Sequence, residues 1–292
     1  MRYSFNTYKD IVLEELQDKL GEENVRFVEV QKNNGVKLQG LQLNMGTDMA
    51  APVMYFHNTE CYSDADVERF VEEAEKLFHS KETFSTEAVM AIRDWEIART
   101  GLRAKVVNYE ANKECLKDKP FVRFLDLAVI FVIATEGIVQ GCEDGVITVN
   151  NSMMKFWAGV DEMVLHKEAI KNLEQSNYRV CSMSSLLDIM VFDNDESLAD
   201  EKLCVATSYD GRNGACVILS PTILSEAIRR MQAERIYIIP SSVHEILLID
   251  CAKVELVDLQ HMVKDVNENF VDTQEILSDT IYIFEDGVVK IA

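Results

Sequence analysis

Proline and glycine are scarce in this 292-residue chain, at 4 and 12. So few exclude long flexible linkers and low-complexity tracts. Histidine occurs five times and never as His-Glu-x-x-His, which removes one zinc signature. The seven cysteines, at 61, 115, 142, 181, 204, 216 and 251, are odd in number and widely spaced, with no Cys-x-x-Cys. Neither a structural metal nor a disulfide framework fits that pattern. Cys204, Cys216 and Cys251 sit in or beside apolar runs, as core thiols of a protein in the reducing cytoplasm do. Gly-rich phosphate loops are missing: Gly35, Gly211 and Gly214 read as hairpin turns, and no cofactor is expected. The longest apolar run, Phe124 to Ala134, is too short for a bilayer, contains Asp126, and reads as one buried strand. The opening Met-Arg-Tyr-Ser-Phe-Asn has no apolar core of the kind a secretory signal needs.

Positive charge is also short. Lys and Arg number 29 against 50 Asp and Glu, a net charge of −21. A field of that sign repels phosphate backbones and anionic lipid, so neither nucleic acid nor membrane is an expected partner. The densest basic cluster, Arg229, Arg230 and Arg235, reads as a solvated helix face. An unidentified protein or small molecule is the expected partner.

What is present is a chain 48% hydrophobic, enough for a large core. Apolar spacing predicts helices over 6–20 (Ile11, Leu13, Leu16, Leu20), from Ser63 through Phe78, and over 86–98, 162–175, 221–233 and 253–269. Asn34-Gly35 predicts a two-residue hairpin turn, and the change of parity at Gly40 predicts a bulge. Strands are expected at 51–56, 102–107, 138–140 paired with 146–149, 203–207, 215–219, 281–284 and 288–291. Trp95 and Trp157 read as core, and Asn108, Asn112 and Asn172 as helix caps. The fold class is α+β, antiparallel sheets with helices packed on one side, in two sub-domains. Residues 1–192 and 202–292 are the two halves, joined by an acidic linker at 193–201. An EF-hand reading of that linker fails for want of a turn glycine where Leu198 stands.

The richest segment for chemistry is Ile236 to Ile249. Two apolar runs flank a polar corner at Pro240, Ser241 and Ser242, with His244 and Glu245 just beyond. As a hydrolase, Ser241 or Ser242 would need His244 as base and a carboxylate to orient it. On a strand Ser242 and His244 share a face about 6.5 Å apart, and Glu245 points the other way. No Gly-x-Ser-x-Gly elbow is present. The competing reading is architectural: a turn whose hydroxyls satisfy backbone, followed by a hydrogen-bonded core histidine. His57, Glu60 and Cys61 offer ligand atom types at a strand end, but no second pair with ligand spacing accompanies them, and no metal is expected.

Several segments occur together in order: Asn34-Gly35-Val36, Ala51-Pro52-Val53-Met54-Tyr55, Val107 to Lys113, Phe124-Leu125-Asp126-Leu127-Ala128, Phe156-Trp157, Gly214 to Leu219, Pro240-Ser241-Ser242-Val243-His244-Glu245 and Leu277-Ser278-Asp279. With these the chain resembles domain-of-unknown-function family 5688 over nearly its whole length. The Pro-Ser-Ser-Val-His-Glu segment is the most specific part. Where the family usually has Leu-Asn, this chain has Phe56-His57. The resemblance implies a cytosolic bacterial protein and brings no activity. The function expected is non-catalytic binding or interaction, with a hydrolase using Ser241 or Ser242 and His244 as the alternative.

Overall fold

The computed structural model describes residues 2–44, 52–79, 90–136, 138, 145–175, 178–183, 185 and 197–292. The chain forms two compact units. One comprises Met1–Lys32, Val36–Ile92 and Thr135–Asp144; the other comprises Asn33–Gly35, Arg93–Ala134 and Gly145–Ala292. The architecture is α+β, and every strand pairing described is antiparallel. No helix among the described residues is long and apolar enough to cross a membrane.

In the first unit β1 (Arg2–Tyr3) leads into α1 (Phe5–Leu20), capped by the Ser4 hydroxyl, which accepts from Thr7 N. Tyr8, Val12, Leu16 and Leu20, each four apart, are its buried stripe; Ile11 and Leu13 only flank the core. β2 (Val25–Gln31) and β3 (Lys37–Leu43) form the expected hairpin. Their register pairs Gln31 with Lys37 and so centres on Asn34, which makes a three-residue turn rather than the two-residue type. Asn34 (φ 56°) and Gly35 (φ 74°) still supply the left-handed backbone that the turn needs. No bulge forms at Gly40, which pairs with Val28 in unbroken register. The glycine is there because β4 (Val53–Tyr55) crosses it: a Cβ on Gly40 would strike the Met54 carbonyl oxygen.

β5 (Tyr62–Ser63) pairs with β1 and hands over to α2 (Asp64–His79). Asp66 Oδ2 accepts from both the Ser63 N–H (2.9 Å) and its hydroxyl (2.7 Å), a carboxylate reaching back to fix the helix start. The predicted stripe of Val67, Phe70, Val71 and Ala74 is buried, with Leu77 and Phe78 beside it. It shares one core with the α1 stripe and with Leu41 and Leu43, where each fully buried leucine contributes about 1.5–3 kcal/mol.

The second unit begins with α3 (Trp95–Ala98). Of the helix expected over 86–98, residues 86–89 lie outside the described residues, and Asp94 restarts the remainder by capping Glu96 N at 2.8 Å. β6 (Leu102–Asn108) and α4 (Tyr109–Leu116) follow, and Asn108 caps α4 as expected. The 124–134 run is not one strand. It is divided between β7 (Phe121–Phe124) and β8 (Leu127–Ala134), with Leu125 at φ 54° in the tip between them. All eight residues of β8 are buried, because β6 flanks it on one side and β7 and β9 (Val146–Thr148) on the other. The 146–148 segment therefore pairs with 132–134 and not with 138–140; Ile138 lies in a turn, and 139 and 140 fall outside the described residues.

α5 (Asn151–Met154) and α6 (Glu162–Glu174) precede β10 (Tyr178–Ser182) and β11 (Cys204–Ser208). Trp157 is buried and its ring lies 5.4 Å from that of Trp95, in keeping with packing roles for both. The acidic stretch expected to separate two halves does not divide the chain. Residues 193–196 lie outside the described residues, and 197–201 belong to the second unit, since β10 and β11 on either side pair directly in one sheet. The 215–219 run is a 3₁₀ turn (Gly214–Leu219), not a strand. All six residues are buried, so the run has no period to reveal its type.

α7 (Pro221–Met231), β12 (Ile236–Ile239), β13 (Glu245–Asp250), α8 (Leu256–Asn269), β14 (Tyr282–Glu285) and β15 (Val288–Ile291) complete a six-stranded sheet ordered β10-β11-β13-β12-β14-β15. Arg230 is not on a solvated face. It is 4% exposed, and its Nη1 donates to the Val180 carbonyl at 2.8 Å. Two predicted caps are bridges instead. Asn112 is buried inside α4 and exchanges hydrogen bonds with Asn34, and Asn172 donates to the Arg99 and Leu102 carbonyls.

Beyond β11, Asp210 collects the Ser208 hydroxyl (2.8 Å), the Arg212 N–H (3.0 Å) and the Arg103 guanidinium (2.6 Å). Burial opposes its charge, but these three donors outweigh burial and hold its carboxyl below the usual carboxylate range. A depressed folded value means stability that is present at neutral pH and lost as the pH falls through that value. Asp210→Asn should therefore unfold at a lower temperature than the parent at pH 7, with the gap narrowing in strong acid. Thermal melts across pH measure this. Gly40 has an ordinary φ, so the cost of Gly40→Ala is steric alone. We expect a loss of about 1–3 kcal/mol in urea denaturation, because the Met54 carbonyl belongs to a paired strand and cannot swing aside.

Candidate functional site

β12 ends where Pro240 removes a backbone donor from the ladder. The Ser241 N–H folds back onto the Ile239 carbonyl at 3.0 Å, closing a three-residue turn around the proline. The chain re-enters the sheet at Glu245, having anchored Val243 on the way: its N–H donates to Glu275 O at 2.9 Å, and its side chain is buried. Residues 241–244 thus lie outside the strands, with a bend at 243–244, and the shared face that a continuous strand would give Ser242 and His244 does not exist.

The structure brings Ser241, Ser242 and Glu245 together and turns His244 elsewhere. Ser242 is 6% exposed, and its hydroxyl is engaged on both sides. It donates to Glu245 Oε1 at 2.9 Å and accepts the His244 backbone N–H at 2.9 Å. Ser241 Oγ donates to the same carboxylate oxygen at 3.2 Å. The carboxylate therefore holds two serines and not the imidazole. His244, with a side chain 37% exposed, accepts the Asn213 N–H on Nδ1 at 3.4 Å, which leaves the ring proton on Nε2, 3.9 Å from Glu275 Oε1. Both partners of that pair face water, where such a contact adds little.

Packing under the corner is close. The His244 carbonyl accepts from Thr207 Oγ1 at 2.7 Å. Gly214 lies where a Cβ would strike the Thr207 hydroxyl, the Ser208 N–H and the His244 carbonyl, so the 3₁₀ turn can approach β11 and the corner only as glycine. Asn213, at φ 54°, delivers its N–H to the imidazole from that turn. The link of Asn213, Thr207 and Glu275 to the corner went unread in the sequence. They are 31, 37 and 31 positions from His244, and no local pattern marks them.

As acyl-transfer machinery the arrangement lacks its central contact, a serine hydroxyl donating to an imidazole nitrogen. Its geometry suits holding the corner rigid: two hydroxyls, one carboxylate and one backbone N–H make a closed local network. Among the described residues, no group of three or more His, Cys, Asp or Glu side chains is placed to hold a metal ion. His57, Glu60 and Cys61 are exposed in the loop before β5.

No curated protein and no solved structure matches the chain. A family model does, over residues 5–286, and so covers both units and the corner at 240–245. On that match the chain belongs to DUF5688, a family of unknown function.

Proposed function

We propose that the protein is a non-catalytic binding protein of a reducing compartment. The observation that carries this reading is the Ser242 hydroxyl, whose proton is given to Glu245 and whose oxygen already accepts the His244 backbone N–H, so it is engaged in the corner and not with the imidazole. Ser241 is held by the same carboxylate. A hydrolase built on these serines would have to break both contacts before His244 could act as base. The thiols support a reducing compartment. None of the six described cysteines is in a disulfide, and burial pushes Cys204 up to about 11 and Cys216 up to about 12, which keeps both protonated and unreactive. The net charge of −21 favours a cationic partner over an anionic one.

A fluorophosphonate probe tests the absence of an active serine. The purified protein should remain unlabelled under conditions that label a serine hydrolase to completion. Labelling that disappears in Ser241→Ala or Ser242→Ala would overturn the reading. The same variants report on architecture. Ser242→Ala leaves the His244 N–H without its acceptor and should cost about 1–3 kcal/mol in urea denaturation, while Ser241→Ala, at the longer contact, should cost less.

A further inference from the structure

α8 lies on one face of the six-stranded sheet. Leu259 and Val263 are buried there against Ile239, Ile249 and Ile281, and Asn267 continues their line. The apolar part of the helix does not end at that footprint. Met262, Val266 and Phe270 follow one another at intervals of four, so they form a second line beside the buried one. Phe270 belongs to it as the helix's C-cap, its N–H donating to the Val266 carbonyl at 2.9 Å. The three are 46%, 39% and 79% exposed. Single apolar side chains at a surface are ordinary, whereas three in register widen the stripe past what the sheet covers. From Met262 to Phe270 the line is about 12 Å long.

Negative charge borders it. Glu255 stands at its N-terminal end, and Asp258 and Asp265 follow on the side away from the sheet, all three exposed. None of them pairs with a cation among the described residues, and the helix's only lysine, Lys264, pairs with Glu268 at 3.9 Å.

These carboxylates decide what the face takes. A second copy would bring its own carboxylates to the same line and its own net charge of −21, so self-association through it is opposed. Anionic lipid is repelled likewise: helices that lie on membranes carry Lys and Arg beside the apolar face, and this one carries Asp and Glu. The complementary surface is apolar with positive charge at its margin. An amphipathic helix whose leucines are flanked by lysine or arginine is such a surface, and it presents its anchors at the same three- and four-residue spacing. Methionine and phenylalanine suit the receiving side, because a flexible thioether adapts to its neighbour and an aromatic ring supplies a large contact.

We propose that the line of Met262, Val266 and Phe270 docks a cationic amphipathic helix of a partner protein. The partner's apolar side chains lie on the line, and its lysines or arginines meet Glu255, Asp258 and Asp265. The inference deepens the binding reading given above and rests on it.

The probe is a fluorescein-labelled peptide of leucine and lysine, about 14 residues or four turns long, with its leucines at helical spacing. It is titrated with the full-length protein and followed by fluorescence anisotropy at about 0.15 M salt. Two controls have the same length. One carries glutamate for every lysine, and the other reorders the leucines and lysines so that no helical face is apolar. The first peptide should saturate, the glutamate peptide should not bind, and the reordered one should bind roughly tenfold more weakly. Phe270→Ala and Met262→Ala should each weaken binding about tenfold, the loss of one anchor. Asp258→Asn combined with Asp265→Asn should weaken it about as much, with the gap closing as salt rises. Val257→Ala removes a side chain 60% exposed on the opposite side of the same helix and should change nothing. All these side chains are exposed, so the variants should melt with the parent.

Failure of the cationic peptide to saturate, equal binding of either control, or binding unchanged in both the Phe270 and Met262 variants would overturn the proposal. So would a concentration-dependent dimer in sedimentation, or binding to phosphatidylserine vesicles, that Phe270→Ala abolishes; the face would then belong to a second copy or to a membrane. A protein that ignores the peptide and also resists fluorophosphonate loses this inference alone. One that is labelled at Ser241 or Ser242 loses the non-catalytic reading, whatever the peptide does.

Discussion

With 50 carboxylates and only 29 cationic side chains, this chain cannot give every acid a base. A carboxylate drawn even partly out of water needs donors, and hydroxyls and backbone N–H groups are the remaining supply. The structure uses them repeatedly. Asp126 accepts from Ser278, Thr280 and Tyr282; Glu245 from Ser241 and Ser242; Asp66 from Ser63; Asp210 from Ser208; Glu174 from Ser220; and Asp64 from Tyr3. Hydroxyl-to-carboxylate bonds are charge-assisted and about twice as strong as neutral ones. They bring no positive charge to the carboxylates they hold. A serine engaged in this way is a structural donor, and that constraint governs how the polar corner at 240–245 is read.

Asp126 shows the constraint building architecture in the second unit. It stands in the tip between β7 and β8, beside Leu125 with its left-handed backbone. The Ser278 (2.6 Å), Thr280 (3.1 Å) and Tyr282 (2.8 Å) hydroxyls converge on it from the segment that enters β14, so one carboxylate joins the two sheets of this unit. Tyr282 is fully buried, and burial together with the Asp126 charge drives its phenol well above the ordinary value, so it remains a donor at any physiological pH. A leucine in left-handed backbone costs about 1–2 kcal/mol. The three hydroxyl bonds made by its neighbour are what hold the tip in that shape.

These arrangements divide what could be read from the sequence from what could not. Features set by neighbouring residues were legible: the helix start at Ser63, the start of α7 at residue 221, the Asn34-Gly35 turn, and the strand pair on either side of 285–287. Features set by distant backbone were not. Gly40 and Gly214 look like a bulge and a turn residue, yet each is a glycine because another strand's atoms occupy the place of its Cβ. The β7–β8 tip was invisible because leucine stands where such a turn ordinarily has glycine. At the corner the residue types were found, and their placing at the end of β12 was expected. Their wiring depends on Thr207, Asn213 and Glu275, which only the folded sheet brings near. Tyr8 was missed outright: the α1 stripe was traced through Ile11, Leu13, Leu16 and Leu20, of which only the last two lie on the buried line with Tyr8 and Val12.

The wiring of the corner gives a physical criterion for where function resides. At the corner, both serine hydroxyls, the Glu245 carboxylate and the His244 Nδ1 have partners inside the protein. Such a network is stable as it stands and gains nothing from a ligand. Reactive residue types gathered in one stretch of sequence are therefore a weak pointer to a binding site: what a ligand completes is hydrogen-bonding capacity that the fold itself leaves unmet.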